Sequence, residues 1–287
     1  MSGKAEFVAG DHGFALVEGP ATALSWLTIL PVRGVAQAFD RVTGRRAMNS
    51  LPVVGLVLGA TGAALVAGLS WLHTPTILIA ALCIALWQWL TRMMHLDGLA
   101  DVGDALGSFG DPERAREILA DKYTGALGMG AAVLCLMVQL AGLTAVLDKL
   151  PGTAAAGLVI GSVPVVARLA GMIPCHRNFS PLAPTGFGAL VIGTVASRAI
   201  FAWAFALTAA LAIAAGTLPI APVSEWALVL PLGCAGAASI SAAVVLARRL
   251  TRRFGGLNGD CIGALIELTT ALAPSVFVIS YGALVGG

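Results

Sequence analysis

The segment His95-Leu96-Asp97-Gly98-Leu99-Ala100-Asp101-Val102-Gly103-Asp104 holds the densest run of side chains able to do chemistry. On a helix, Asp97, Asp101 and Asp104 stand at i, i+4 and i+7 and share one face. Successive carboxylates then rise by about 6 and about 4.5 Å. Like charges on one face repel, and a hard divalent cation removes that repulsion. An oxygen-only donor set without Cys or paired His favours Mg²⁺ or Mn²⁺ over Zn²⁺. Gly98 and Gly103 let a backbone or a phosphate come close. The chemistry that fits is a carboxylate cage holding Mg²⁺ against substrate phosphates; the plainer reading is a solvated acidic loop. His95 is a candidate base beside the metal, or a hydrogen-bonded structural histidine.

A second constellation is Arg252-Arg253-Phe254-Gly255-Gly256-Leu257-Asn258-Gly259-Asp260-Cys261-Ile262-Gly263, followed by Glu267. A glycine-rich loop opening a helix offers free N–H groups and a positive dipole end to a phosphate. Asp260 and Glu267 are spaced to share a helix face. Asp260 is either a further metal ligand or a helix cap. Lys122 either holds a phosphate or snorkels to the membrane edge. Arg168, inside an apolar run, either snorkels or binds an anionic substrate. Asp111-Pro112-Glu113-Arg114 reads as an N-cap with proline at the first helical position, opening a short surface helix.

These residues must be positioned by a membrane protein. Of 287 residues, 58% are hydrophobic and 11% charged, and the mean hydropathy is +0.90. With 17 basic and 15 acidic residues, the chain cannot cover a soluble domain of this size with polar groups. Ten-residue alternating segments of a membrane barrel are absent from the sequence. The five cysteines stand apart and form no C-x-x-C pair, so neither zinc nor a redox motif is indicated.

The expected fold is all-α and polytopic, with about seven transmembrane helices. Spans are read at 51–72, 75–94, 124–147, 152–173, 190–215, 226–247 and 263–284. In the fifth, 186–197 is alternatively a re-entrant piece ahead of a span starting at Arg198. The apolar stretch Ala21–Val32 suits an interfacial or re-entrant segment better than a crossing, and the acids before it argue against a cleaved signal peptide. Residues 1–50 thus form an N-terminal cytoplasmic or interfacial segment. Residues 51–287 form one transmembrane catalytic domain, with an acidic loop at 95–123 and a glycine-rich loop at 254–263. With the N-terminus inside, every Lys and Arg except Lys149 falls on or beside the cytoplasmic side, as the positive-inside rule requires. Basic residues placed by that rule give no support for nucleic-acid binding.

The motifs resemble the cobalamin synthase family, the adenosylcobinamide-GDP ribazoletransferases. The resemblance rests on His95-Leu96-Asp97-Gly98-Leu99-Ala100-Asp101-x-x-Asp104, on Asp121-x-x-x-Gly125-x-x-Gly128, and on Gly255-Gly256-x-x-Gly259-Asp260-x-x-Gly263-Ala264-x-x-Glu267. Leu27-Thr28-x-Leu30-Pro31-Val32, Leu51-Pro52-Val53-Val54-Gly55-Leu56 and Ala167-Arg168-Leu169 also fit. Ala105, Asn258 and Tyr123-Thr124 depart from the family pattern, while every carboxylate of the motifs is kept.

The resemblance implies transfer that joins adenosylcobinamide-GDP to α-ribazole or its 5′-phosphate, with GMP leaving. It implies Mg²⁺ as cofactor and the inner, cytoplasmic membrane as location. It leaves open a homo-oligomer or association with other corrinoid-pathway enzymes. Catalytic roles then fall to His95, Asp97 and Asp101, and metal binding to Asp97, Asp101, Asp104 and Asp260. Lys122, Arg168, Arg253, Gly256, Gly259 and Glu267 would bind substrate. Two rivals remain: a CDP-alcohol phosphotransferase, whose full spaced signature is not found, and a cation transporter, which should carry carboxylates nearer mid-span.

Overall fold

Inside a bilayer an apolar run has few options, because its backbone N–H and C=O groups must be satisfied within the segment. The computed structural model describes residues 7–121, 123–150, 152–217 and 225–285, and it is almost wholly helical. Its helices are α1 (Ala15–Leu27), α2 (Arg41–Asn49), α3 (Leu51–Trp71), α4 (Thr76–Leu90), α5 (Met94–Gly107), α6 (Pro112–Leu119), α7 (Ala126–Lys149), α8 (Thr153–Gly171), α9 (Phe187–Val191), α10 (Ser197–Thr217), α11 (Glu225–Phe254) and α12 (Gly259–Val285). Helices α3, α7, α8, α10, α11 and α12 are long and apolar enough to cross a membrane, and α4 with α5 makes a bent seventh candidate. This is the expected multi-pass architecture, and the fifth span starts at Ser197, with α9 a separate short helix ahead of α10.

The second span differs from a helix running on into the acidic motif. It stops at Leu90, and the chain turns by 91° before α5 begins. Arg92 (φ 57°) and Met93 (φ 55°) both adopt left-handed backbone, which costs a non-glycine residue on the order of 1 kcal/mol or more. Both residues make bonds that brace the corner. Arg92 Nη2 donates to the Trp26 carbonyl at 2.7 Å, and Met93 N–H to the Gln88 carbonyl at 2.8 Å. Alone, α4 rises about 22 Å, against a hydrocarbon core of about 30 Å. The acidic helix α5 therefore lies across one end of the bundle.

Helix α12 is the hub, packing against α5, α7, α8 and α11. Close backbone approach builds the other main contact, α3 on α8. A Cβ on Gly55 would lie 2.7 Å from Val165 Cα and 2.8 Å from the Pro164 carbonyl oxygen, so only glycine fits.

Helices α1 and α2 are too short to cross. They pack on each other through a polar clasp. Arg46 Nη1 donates to Glu18 Oε1 at 2.8 Å, Gly13 N–H donates to Glu18 Oε2, and the His12 ring lies between Glu18 and Asp40. Asp40 also caps α2, accepting from Val42 and Thr43 N–H at 2.9 Å. Burial pushes the Glu18 carboxyl up, but the Gly13, Arg46 and His12 bonds outweigh it and leave its pKa below the ordinary 4.5. A depressed acid pKa gives stability present above the unfolded value and lost as pH falls through the folded one. The melting-temperature gap between wild type and Glu18→Gln in detergent should be full at neutral pH and close progressively below 4.5. A gap that persists unchanged at strongly acid pH contradicts this.

Candidate active site

Two glycines bring the sequence motifs together. A Cβ on Gly98 of α5 would lie 2.8 Å from Asp260 Cα and 2.9 Å from its carbonyl oxygen, at the start of α12. One turn further along, a Cβ on Gly263 would lie 3.0 Å from His95 Cα and from its carbonyl oxygen. Helix α5 and the first turns of α12 thus cross backbone to backbone, and the two acidic motifs become neighbours.

The carboxylates differ in surroundings. Asp97 is exposed, while Asp101, Asp104 and Asp260 are part-buried. Burial first, then the negative charges of Asp260, Asp97, Asp104 and Asp121, raise the Asp101 pKa to about 7. Asp121 therefore belongs to the cluster, although its position in the sequence gave it no role there. No Lys or Arg among the described residues pairs with any of these acids. Asp104 faces α7 instead: it accepts from Gly125 N–H at 2.5 Å and Gly128 N–H at 2.8 Å, satisfying free donors of that helix start. The cap of α12 is Asn258, whose Oδ1 accepts from Cys261 N–H at 3.1 Å. Its Nδ2 donates to Asp260 Oδ2 at 2.6 Å. Asp260 is thereby steered rather than used as the cap.

The donor set fits a hard cation in chemistry: oxygens only, crowded, and without a paired base. Among the described residues, no three His, Cys, Asp or Glu side chains converge as a formed metal cage. Asp104 is held by the α7 donors, while Asp97, Asp101 and Asp260 accept no bond from a backbone N–H among the described residues.

Below this surface lies a buried polar network. Glu267, only 3% exposed, accepts from Gln88 Nε2 of α4 at 3.0 Å on both oxygens and from Gln139 Nε2 of α7 at 2.8 Å. Arg168 of α8, also buried, approaches His95 Nδ1 with Nη2 at 3.5 Å. His95, expected at the metal, is instead inside the protein. Burial and then the Arg168 charge hold its pKa well below 6.5, and the ring faces the interior beneath α5 rather than solvent. Glu267 and Arg168, read as substrate binders, likewise sit in the interior. Gln88 and Gln139 escaped the sequence analysis. Their signal was an amide in an otherwise apolar helix, which needs a partner there.

The glycine-rich loop is braced. Leu257 N–H donates to the Ser180 carbonyl at 3.0 Å and Leu182 N–H to the Leu257 carbonyl at 2.7 Å. A Cβ on Gly256 would meet Leu182 Cα at 2.7 Å, so that glycine serves close packing. Gly259 opens α12 beside Phe187. Arg253 Nη2 donates to the Gly110 carbonyl at 2.6 Å and ties α11 to the turn before α6. Asp111 caps α6 as expected. Lys122 lies outside the described residues.

Comparison with known proteins gives a consistent result. A family model described as Cobalamin-5-phosphate synthase matches residues 19–278. A curated protein of Corynebacterium efficiens named adenosylcobinamide-GDP ribazoletransferase is 45% identical over 292 residues, covering 100% of both chains. Proteins of the same name from Corynebacterium diphtheriae and Frankia casuarinae are 44% and 35% identical, over 98% and 90% of this chain and 99% and 94% of theirs. No solved structure matches the chain.

Two substitutions test the geometry. Gln139→Leu removes a donor from buried Glu267 and should cost about 1–3 kcal/mol of stability, read as a lowered detergent melting temperature. Gly98→Val should force α5 off α12; a cysteine pair placed across α5 and α12 should then cross-link more slowly than in the parent, while helical content stays near wild type.

Proposed function

Since the chain belongs to the cobalamin-5-phosphate synthase family, we infer that it joins adenosylcobinamide-GDP to α-ribazole or α-ribazole 5′-phosphate, a late step of cobalamin biosynthesis. A ribazole hydroxyl oxygen bonds to the cobinamide-side phosphorus of the diphosphate. The bridging P–O bond breaks, GMP leaves, and the product is adenosylcobalamin or its 5′-phosphate. Neither rival reading is favoured by the relatives.

The observation that carries the site assignment is the α5–α12 crossing, where Gly98 lets Asp260 join Asp97 and Asp101. Asp97, Asp101 and Asp260 would hold Mg²⁺, which when bound supplies charge neutralisation at the diphosphate. The protein aligns the two substrates at the bundle end. An Asp of the cluster accepts the hydroxyl proton, a task that needs a carboxylate within hydrogen-bond reach of the attacking hydroxyl. Free N–H groups at the start of α12 favour a phosphate there. Arg168, His95 and Glu267 act from beneath as positioning residues. The basic residues gather at the same bundle end as the acids, which supports a cytoplasmic site and N-terminus in the inner membrane.

The test is a product assay on the full chain in liposomes with adenosylcobinamide-GDP, α-ribazole 5′-phosphate and Mg²⁺. GMP release with completed cobalamin is expected, abolished by EDTA. Asp97→Asn should lose about a hundredfold or more in rate, since even indirect partners of a metal are worth about 10–100-fold. Full activity of that variant, or activity unaffected by EDTA, overturns the metal assignment. Absence of product from folded wild type overturns the reaction.

A further inference from the structure

Helix α10 stands off the bundle: among its described residues only Ile200 and Ala215 are buried. Between it and α3, α8 and α11 lies a cavity of about 590 Å³. Its walls are glycine, alanine and branched aliphatic side chains, with Ser162 and Thr208 as the polar exceptions. Neither offers the cavity a free donor. Ser162 Oγ donates to the Val159 carbonyl at 2.7 Å and Thr208 Oγ1 to the Ala204 carbonyl at 2.8 Å. Water gains nothing in such a space, since a stable water needs polar partners.

A second cavity of about 470 Å³ meets the first at Ile240, which lines both. This one opens at the bundle end that carries the acidic cluster, and its character changes along its length. Ile200, Phe201 and Val244 line its inner part, while Arg248, Arg252 and Asn178 line its mouth. The two arginines are one helical turn apart on α11, exposed, and paired with no carboxylate among the described residues. His176 at the same mouth is bonded through Nε2 to Ser197 Oγ at 2.8 Å. The wall from Val244 to Gly233 runs about 16 Å at 1.5 Å per residue. One leaflet's hydrocarbon depth is about 15 Å, half the bilayer core.

We propose that this cleft between α8, α10 and α11 is a binding site for one anionic glycerophospholipid, its phosphate at Arg248 and Arg252 and an acyl chain in the apolar cavity. Two features that define such a lipid are matched in order: an anionic head at the arginines and a tail of leaflet length in the apolar cavity. An apolar void of this size is unfavourable if left empty, because its lining loses contacts, and lipid tails are the solvent on this side of α10. The site is separate from the acidic cluster and stands whatever reaction that cluster performs.

The full chain in nanodiscs of mixed phosphatidylcholine and phosphatidylglycerol, delipidated and analysed by native mass spectrometry, tests this. Wild type should retain one phosphatidylglycerol in preference to phosphatidylcholine. Arg248→Gln/Arg252→Gln should lose that preference by roughly tenfold or more while still retaining lipid. Gly236→Leu should reduce retention of both lipids; a Cβ there has nothing within 4 Å, so the leucine fills the cleft without displacing a helix. Soluble glycerol phosphate should not compete, as the tail is part of the ligand. The proposal fails if wild type shows no headgroup preference, if the arginine variant keeps that preference, if Gly236→Leu retains lipid as wild type does, or if glycerol phosphate or adenosylcobinamide-GDP displaces the lipid. The wild-type and competition arms need no variant to fold.

Discussion

A carboxylate buried among membrane helices must be met by donors or it does not stay charged. Glu267 is met by Gln88 and Gln139, and that requirement fixes α12 against α4 and α7 at one height. Helix α12 cannot slide or rotate without pulling that carboxyl group away from its donors. The same register places Gly263 under His95 and Asp260 under Gly98. The surface cluster thus inherits its geometry from a polar contact two turns deeper.

The cluster itself is electrostatically unfinished. Its acids repel one another, Asp101 titrates near neutrality, and no basic side chain among the described residues neutralises them. Stability would favour a lysine or an asparagine at one of these positions. Repulsion retained at a packed crossing is the form that strain takes where a charge is to be bound. Asp104 shows the contrast: it spends its charge on two backbone donors and so joins the acidic helix to α7.

The spans were legible because long apolar runs have one solution in a bilayer. The cap at Asp111 was legible for a local reason, the Asp-Pro pair. The corner at Arg92 and Met93 was not. Neither residue type favours left-handed backbone, and the side-chain bond that braces the turn reaches Trp26, far away in sequence. For the same reason His95 reads as a surface base in the linear motif and proves to be interior. Its burial depends on the missing side chain of Gly263, on a helix that begins much later in the chain. Periodicity carried the three aspartates correctly onto one helix, but not the direction in which that helix points.

That direction has a consequence for the medium in which the acids work. Because α5 lies across the bundle end, the proposed cytoplasmic orientation would put its carboxylates at the level of the lipid headgroups. A leaflet surface at about −30 mV enriches a divalent cation about tenfold over bulk by the Boltzmann factor and depresses local pH by about half a unit. Ionic conditions set in a detergent buffer are therefore not those met at the membrane. The lipid composition of the bilayer is, in effect, one of the variables that sets the charge state of this protein.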